Sequence, residues 1–122
     1  MIHFQPENIV CVSPDSHHIK IIDFGLARRY VPHQRLQVNF GTPEFVSPEV
    51  VNYNFVSYSS DMWSVGVICY ILVSGHSPFL GEDDDETMGN IQDGDWEFCD
   101  EFENVSDSCK DFISRLIVYQ KG

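Results

Sequence analysis

Residues 19–30 read IKIIDFGLARRY, and the change of character at Asp23 decides how the rest of the chain is read. Ile19, Ile21 and Ile22 are β-branched and suit a strand. Asp23-Phe24-Gly25 breaks that run with an acid and a glycine. Taken alone, Asp23 is an acid that ends a strand at a turn. Beyond it, LARRYVPHQRLQVNFGTPEF (26–45) has no sustained period and carries Pro32, Gly41 and Pro43. This stretch reads as one long ordered loop, and a loop of that length inside a compact domain usually serves a function. Upstream, IVCV (9–12) is a second β-branched run, and SPDSHH (13–18) supplies Pro, Asp and Ser as turn formers. The spacing predicts a hairpin over 9–22.

Downstream the pattern turns helical. MWSVGVICYILV (62–73) is the longest apolar-rich run. It predicts a helix over 60–74, with Ser59 or Ser60 as cap, Asp61 at the positive end of the dipole and Gly75 as stop. Its apolar residues go nearly all round, so protein should surround it. SPEVVN (47–52) predicts a helical turn with Ser47 as N-cap and Pro48 at the first helical position. EDDDE (82–86) reads as a solvated helix start ahead of Met88 and Ile91, which share one face. An EF-hand is rejected, because the acids do not alternate and the required glycine is absent. Ser106 should cap a last helix whose stripe is Cys109, Phe112, Ile113, Leu116 and Ile117. A buried helix mid-chain needs neighbours on every side, so the chain reads as an interior slice of something larger.

The 122 residues suffice for one modest domain, and 43% hydrophobic with 13% aromatic content argues for a packed globule. A net charge of −12 disfavours nucleic acid and favours basic peptides or proteins as partners. Cys11, Cys69, Cys99 and Cys109 show neither C-x-x-C nor zinc-finger spacing. They read as reduced structural residues of a cytoplasmic protein, with Cys69 a small buried hydrophobe. The N-terminus lacks a signal-peptide pattern, and no apolar run is long enough to span a bilayer, so no membrane role is expected.

Four segments in register carry a resemblance: PEN (6–8), KIIDFGLARRY (20–30), NFGTPEFVSPEV (39–50) and DMWSVGVICYILVSGHSPF (61–79). Their order and spacing resemble the large, C-terminal lobe of a eukaryotic protein kinase. IKIIDFGLARRY, VNFGTPEF, SPEVVNY and SGHSPFLGEDDDET are most similar to the calmodulin-dependent group, particularly the myosin light chain kinases. The resemblance implies a protein kinase-like α+β fold, here a mainly α-helical lobe with a short β-hairpin and no small lobe. Residues 1–122 would form a partial kinase domain. Its parts would be a catalytic-loop remnant (1–8), the hairpin (9–22), an activation segment (23–49), the central helix (60–74) and later helices (84–118). Serine/threonine phosphoryl transfer from ATP, with magnesium, is the implied activity.

By that resemblance Asp23 and Asn8 would be the magnesium ligands, and Gly25 would let the backbone turn beside Asp23. Gly41, Thr42, Pro43 and Glu44 would seat the substrate, with the Thr42 hydroxyl reaching back to the catalytic Asp and Lys. Glu49 would pair with an Arg further along the lobe. The chain ends before that Arg, so strain or exposure is expected at Glu49. Asp61 would accept backbone amides of the catalytic loop.

The family pattern H-x-D-x-K-P-E-N departs here. Counted back from Asn8 without gaps, Gln5 stands at the Lys position, His3 at the Asp position and Met1 at the His position. A gapped count makes His3 the family's His. In either count no carboxylate lies between Met1 and Pro6. A cationic His3 would pair with phosphate rather than abstract a proton, and Gln5 removes a charge that stabilises the transition state. The Gly-rich loop and the small lobe's Lys and Glu are also missing, so binding of ATP by this chain alone is not expected. Gly25 to Gly41 contains no Ser or Thr, which argues against a phosphorylation switch on those residue types. A calmodulin role would need a basic tail that is not present. Three readings stay open: an incomplete kinase record, inactive alone; a pseudokinase-type module holding a basic partner; and an active short form.

Overall fold

The computed structural model describes residues 4–38 and 41–119. It begins with a 3₁₀ turn at Pro6–Asn8, where Pro6 supplies a pre-set φ at the first position. Ile9–Cys11 (β1) and Ile19–Ile21 (β2) then pair antiparallel, with Ile9 opposite Ile21 and Cys11 opposite Ile19. Val12 N–H donates to His18 O (2.9 Å) and extends the ladder to the turn. Two strands alone are marginal in water, and Val12 and Ile19 remain exposed.

The long segment after β2 is irregular, as its lack of period demands, yet it is tied down. Val56 N–H donates to Leu36 O (2.9 Å), and Val38 buries with Val50 and Val56 in a small cluster. The Arg35 guanidinium lies 4.8 Å from the centre of the Phe55 ring. A 3₁₀ turn at Pro43–Phe45 and a single helical turn at Pro48–Val51 (α1) follow. Ser47 is the N-cap by position, but its side chain makes no capping bond.

Helix α2 runs Tyr58–Ser74. Its cap is Ser57, not Ser59 or Ser60 as the sequence suggested. Ser57 Oγ accepts from Ser59 N–H while Ser60 Oγ accepts from Ser57 N–H, so one serine caps and another answers it from inside the first turn. Gly75 ends the helix at φ 77°, a left-handed conformation that costs glycine little. Helix α3 spans Asp84–Asp93 with Asp83 as cap, and α4 spans Asp107–Leu116 with Ser106 Oγ accepting from Cys109 N–H.

The core gathers on one side of α2, where Trp63, Val67, Ile68 and Tyr70 pack with Phe79, Ile91, Phe102 and Ile113. Trp63 stacks on Phe79 with ring centres 5.3 Å apart. Gly66 lets α4 come close: a Cβ there would stand 2.7 Å from Leu116 Cβ. Burial is not all round, however. Leu72 is 76% exposed, and Tyr58, Met62 and Val73 are exposed as well. Cys69 is only half-buried against the core, and Phe112 sits at the edge of its stripe rather than inside it. The sequence pattern asked for neighbours on both sides of α2; among the described residues only one side is covered.

Candidate functional site

The PEN turn and the DFG loop meet through the backbone. Asn8 N–H closes its turn on Gln5 O (3.0 Å), and Asn8 O accepts from Ile22 N–H (2.8 Å). Ile22 immediately precedes Asp23, so this bond sets the residue after β2 beside the turn before β1. Asn8 is buried; Asp23 is exposed. Asp23 has φ 59°, a left-handed conformation that Asp tolerates better than most residues. Its Oδ1 accepts from Gly25 N–H at 3.2 Å.

The backbone strain sits on Asp23, and Gly25 is not among the left-handed glycines. A Cβ at Gly25 would approach Asp23 Oδ1 to 3.2 Å, so the glycine leaves room for the carboxylate.

The second half of the site is the Gly41–Phe45 segment. Gly41 adopts φ 129°, Pro43 opens the 3₁₀ turn, and Glu44 is half-buried in it. Phe45 enters the core, and its carbonyl accepts from Ser64 Oγ (2.7 Å), which anchors the segment to α2. Thr42 Oγ1 donates to Gln5 Oε1 at 2.7 Å, joining residues far apart in sequence. Gln5 stands at the Lys position of the ungapped count, so the amide takes the threonine contact without supplying a charge. His3 lies outside the described residues.

Glu49 is half-buried and accepts from Ser60 Oγ. It borders two open cavities of about 450 and 320 Å³, which it shares with Ser59 and Val118. Asp61 is half-buried in the first turn of α2. Sequence reasoning found these positions but missed the Gln5–Thr42 and Ser60–Glu49 bonds, because neither pairing leaves a local signal. It also missed a shallow apolar cavity of about 90 Å³ between Pro43, Val46, Val50 and Met88.

As a cation site, Asn8 and Asp23 offer oxygen donors suited to magnesium, which takes one or two protein ligands and completes its shell with phosphate and water. No cluster of three or more His, Cys, Asp or Glu side chains that could hold a metal occurs among the described residues. No helix among the described residues is long and apolar enough to cross a membrane.

The family model described as "Protein kinase domain" matches residues 3–121. This chain belongs to the protein kinase family. The kinase chain is 61% identical over 122 residues to "Myosin light chain kinase 2, skeletal/cardiac muscle" of Oryctolagus cuniculus, covering 99% of itself and 20% of that relative. It is 62% identical to "Myosin light chain kinase 3" of Homo sapiens, covering 15% of that protein. It is 60% identical to "Myosin light chain kinase family member 4" of Mus musculus, covering 32%. The kinase chain thus spans a third or less of these relatives. Among solved structures, the twitchin kinase region of C. elegans superposes with TM-score 0.87 at 47% identity, over 96% of this chain and 22% of that one. Titin kinase with its flanking domains gives TM-score 0.86 at 38% identity, over 98% and 22%. The fold is that of the helical large lobe of a kinase.

Proposed function

We propose that this chain is the large-lobe part of a serine/threonine kinase of the myosin light chain kinase type, and that these 122 residues alone do not transfer phosphate. The observation that carries the second half is the Thr42–Gln5 bond: the hydroxyl of the substrate-seating segment meets a neutral amide. Phosphoryl transfer is mostly positioning and charge neutralisation. Residues 4–8 offer no cation, and their one carboxylate, Glu7, is exposed in the PEN turn.

Asn8 and Asp23 are the residues that would hold magnesium, which supplies neutralisation of nucleotide phosphates when bound. The chain's own contribution is to orient. The Ile22–Asn8 bond fixes the DFG loop, and the Ser64–Phe45 and Thr42–Gln5 bonds fix the segment that would receive a protein substrate. We place the protein in the cytoplasm, a reading supported by its four free cysteines.

The test is a labelled-phosphate transfer assay on the purified chain, with ATP, magnesium and a myosin light chain as acceptor. The expected result is no label above a blank without enzyme. Incorporation that depends on Asp23 would overturn the inactive reading.

A second reading, a module that holds a basic segment, is favoured by the charge distribution. Thirteen of the nineteen acids follow Gly81, from the two residues just before α3 onward. Pull-down with a basic calmodulin-binding peptide should then be strong at low salt and weak at high salt. Capture that ignores salt, or no capture, would dismiss this reading.

A further inference from the structure

The thiols around the core are the groups that the catalytic account leaves unused. Cys69 on α2 and Cys109 on α4 are both half-buried, and both pack against the main core. Their helices pack against each other in a definite direction. Gly66 meets Leu116 and Ile117, where an added Cβ would lie 2.7 and 2.8 Å from their side-chain atoms. One turn on, the Tyr70 ring meets Phe102 with centres 4.7 Å apart. Moving forward along α2 thus moves backward along the later chain. Helix α4 therefore runs antiparallel to α2, with its first turn toward the Tyr70 end. Cys69 follows Gly66 by three residues, which keeps it on the side of α2 turned to α4. Cys109 precedes the buried Ile113 by four, which puts it on the side of α4 turned to the core.

The electrostatics agree with this placement. Burial first, then the neighbouring Cys109, raise the Cys69 thiol. The other two thiols are placed differently. The Cys99 side chain bonds Glu101 and is the main cause that lowers that carboxyl, while Cys11 is exposed on the hairpin. A disulfide needs Cα atoms within about 7 Å of each other. Cys109 sits in the first turn of α4, and helix ends open locally more readily than helix middles, so the pair can reach that geometry without disturbing the core.

We propose that Cys69 and Cys109 form a reversible oxidation site: hydrogen peroxide joins them in a disulfide that clasps α4 to α2. The thiolate of one cysteine attacks a peroxide oxygen and breaks the O–O bond. This leaves a sulfenic acid, and the departing hydroxide takes up the thiol's proton as a first water. The second thiol attacks that sulfur; the S–S bond forms and the S–O bond breaks, releasing a second water. Two thiols are oxidised and one peroxide is reduced to two waters. A thiol reductant reverses the link. The bond closes residues 69–109, with all of α3 between them, into one loop and so restricts the unfolded chain. The clasp is independent of the kinase reading.

The experiment treats the purified chain with equimolar hydrogen peroxide, blocks the remaining thiols with N-ethylmaleimide and maps its peptides by mass spectrometry without reduction. The expected product is an intramolecular link between Cys69 and Cys109, two hydrogens lighter than the reduced pair and removed by dithiothreitol. The thermal midpoint of the linked chain should rise by about 5 °C or more. Cys109→Ser should lose both the link and the rise, while Cys11→Ser and Cys99→Ser keep both. The wild-type peptide map decides the matter even if a variant folds poorly. A link through Cys99 or Cys11 overturns the inference, as do unlinked Cys69 and Cys109, whether left as thiols or carried to sulfenic and sulfinic acids. A Cys69–Cys109 link that leaves the midpoint unchanged or lower overturns the clasp.

Discussion

Ser47 shows what one atom costs. Its Oγ is buried and has no hydrogen-bond partner among the described residues. The sequence marks Ser47 as an N-cap, and by backbone position it is one, yet the hydroxyl does not cap. A buried hydroxyl left unsatisfied costs roughly 1–3 kcal/mol. Ser47→Ala should therefore raise stability by about 1 kcal/mol, read as a higher urea midpoint at unchanged slope. An unchanged or lower midpoint would mean that Oγ has a partner. The same scale separates what was legible at the site from what was not. Asn8 and Asp23 stand out because each belongs to a short word of fixed spelling. The Thr42–Gln5 bond does not, because its partners are distant in sequence and Gln5 gains meaning only when the segment folds back onto it.

At the scale of elements, helix α2 was readable from its apolar run and its Gly75 stop, but its start was not. Four serines crowd residues 57–64, and local pattern cannot say which one leaves the helix. The geometry selects Ser57, through the reciprocal bond with Ser60. Burial around α2 was over-read for a related reason: hydrophobic content does not reveal which face has a partner. Where α2 does meet α4, contact is close, and two glycines make opposite predictions. Gly66→Ala gains about 1 kcal/mol of helix propensity but drives a methyl into Leu116 and Ile117, which costs about 1–3 kcal/mol. The clash should win, and the variant should melt lower. Gly89 in α3 has nothing within reach of an added Cβ. Gly89→Ala should raise stability by up to about 1 kcal/mol. Thermal denaturation of both variants checks the pair, and an equal shift in both would contradict the close approach.

For the whole molecule, Tyr70 joins the central helix to the segment before α4. Its hydroxyl donates to Glu97 O (2.8 Å) and accepts from Cys99 N–H (3.2 Å). Burial first, then the Cys99 side chain, push the phenol up to about 12 from an ordinary 10.0, against a lowering by the Cys99 N–H bond. The folded state therefore holds this proton where the unfolded chain has begun to release it. Stability from this source is intact below pH 10 and declines as pH rises from about 10 to 12. Urea titrations across that range should show the decline, and Tyr70→Phe should lack it. The global architecture was legible because four motifs in register fix a lobe. The exposed face of α2 was not, since a sequence of 122 residues does not announce what packs on its outside.

The account depends on the PEN turn and the DFG loop forming one site, and the Ile22 N–H bond to Asn8 O is the link between them. Amide hydrogen exchange at Ile22 tests it most directly. The account predicts that Ile22 exchanges as slowly as the paired hairpin amides and speeds up only when they do. Ile22 exchanging at the rate of a free peptide while the hairpin and α2 stay protected would contradict it.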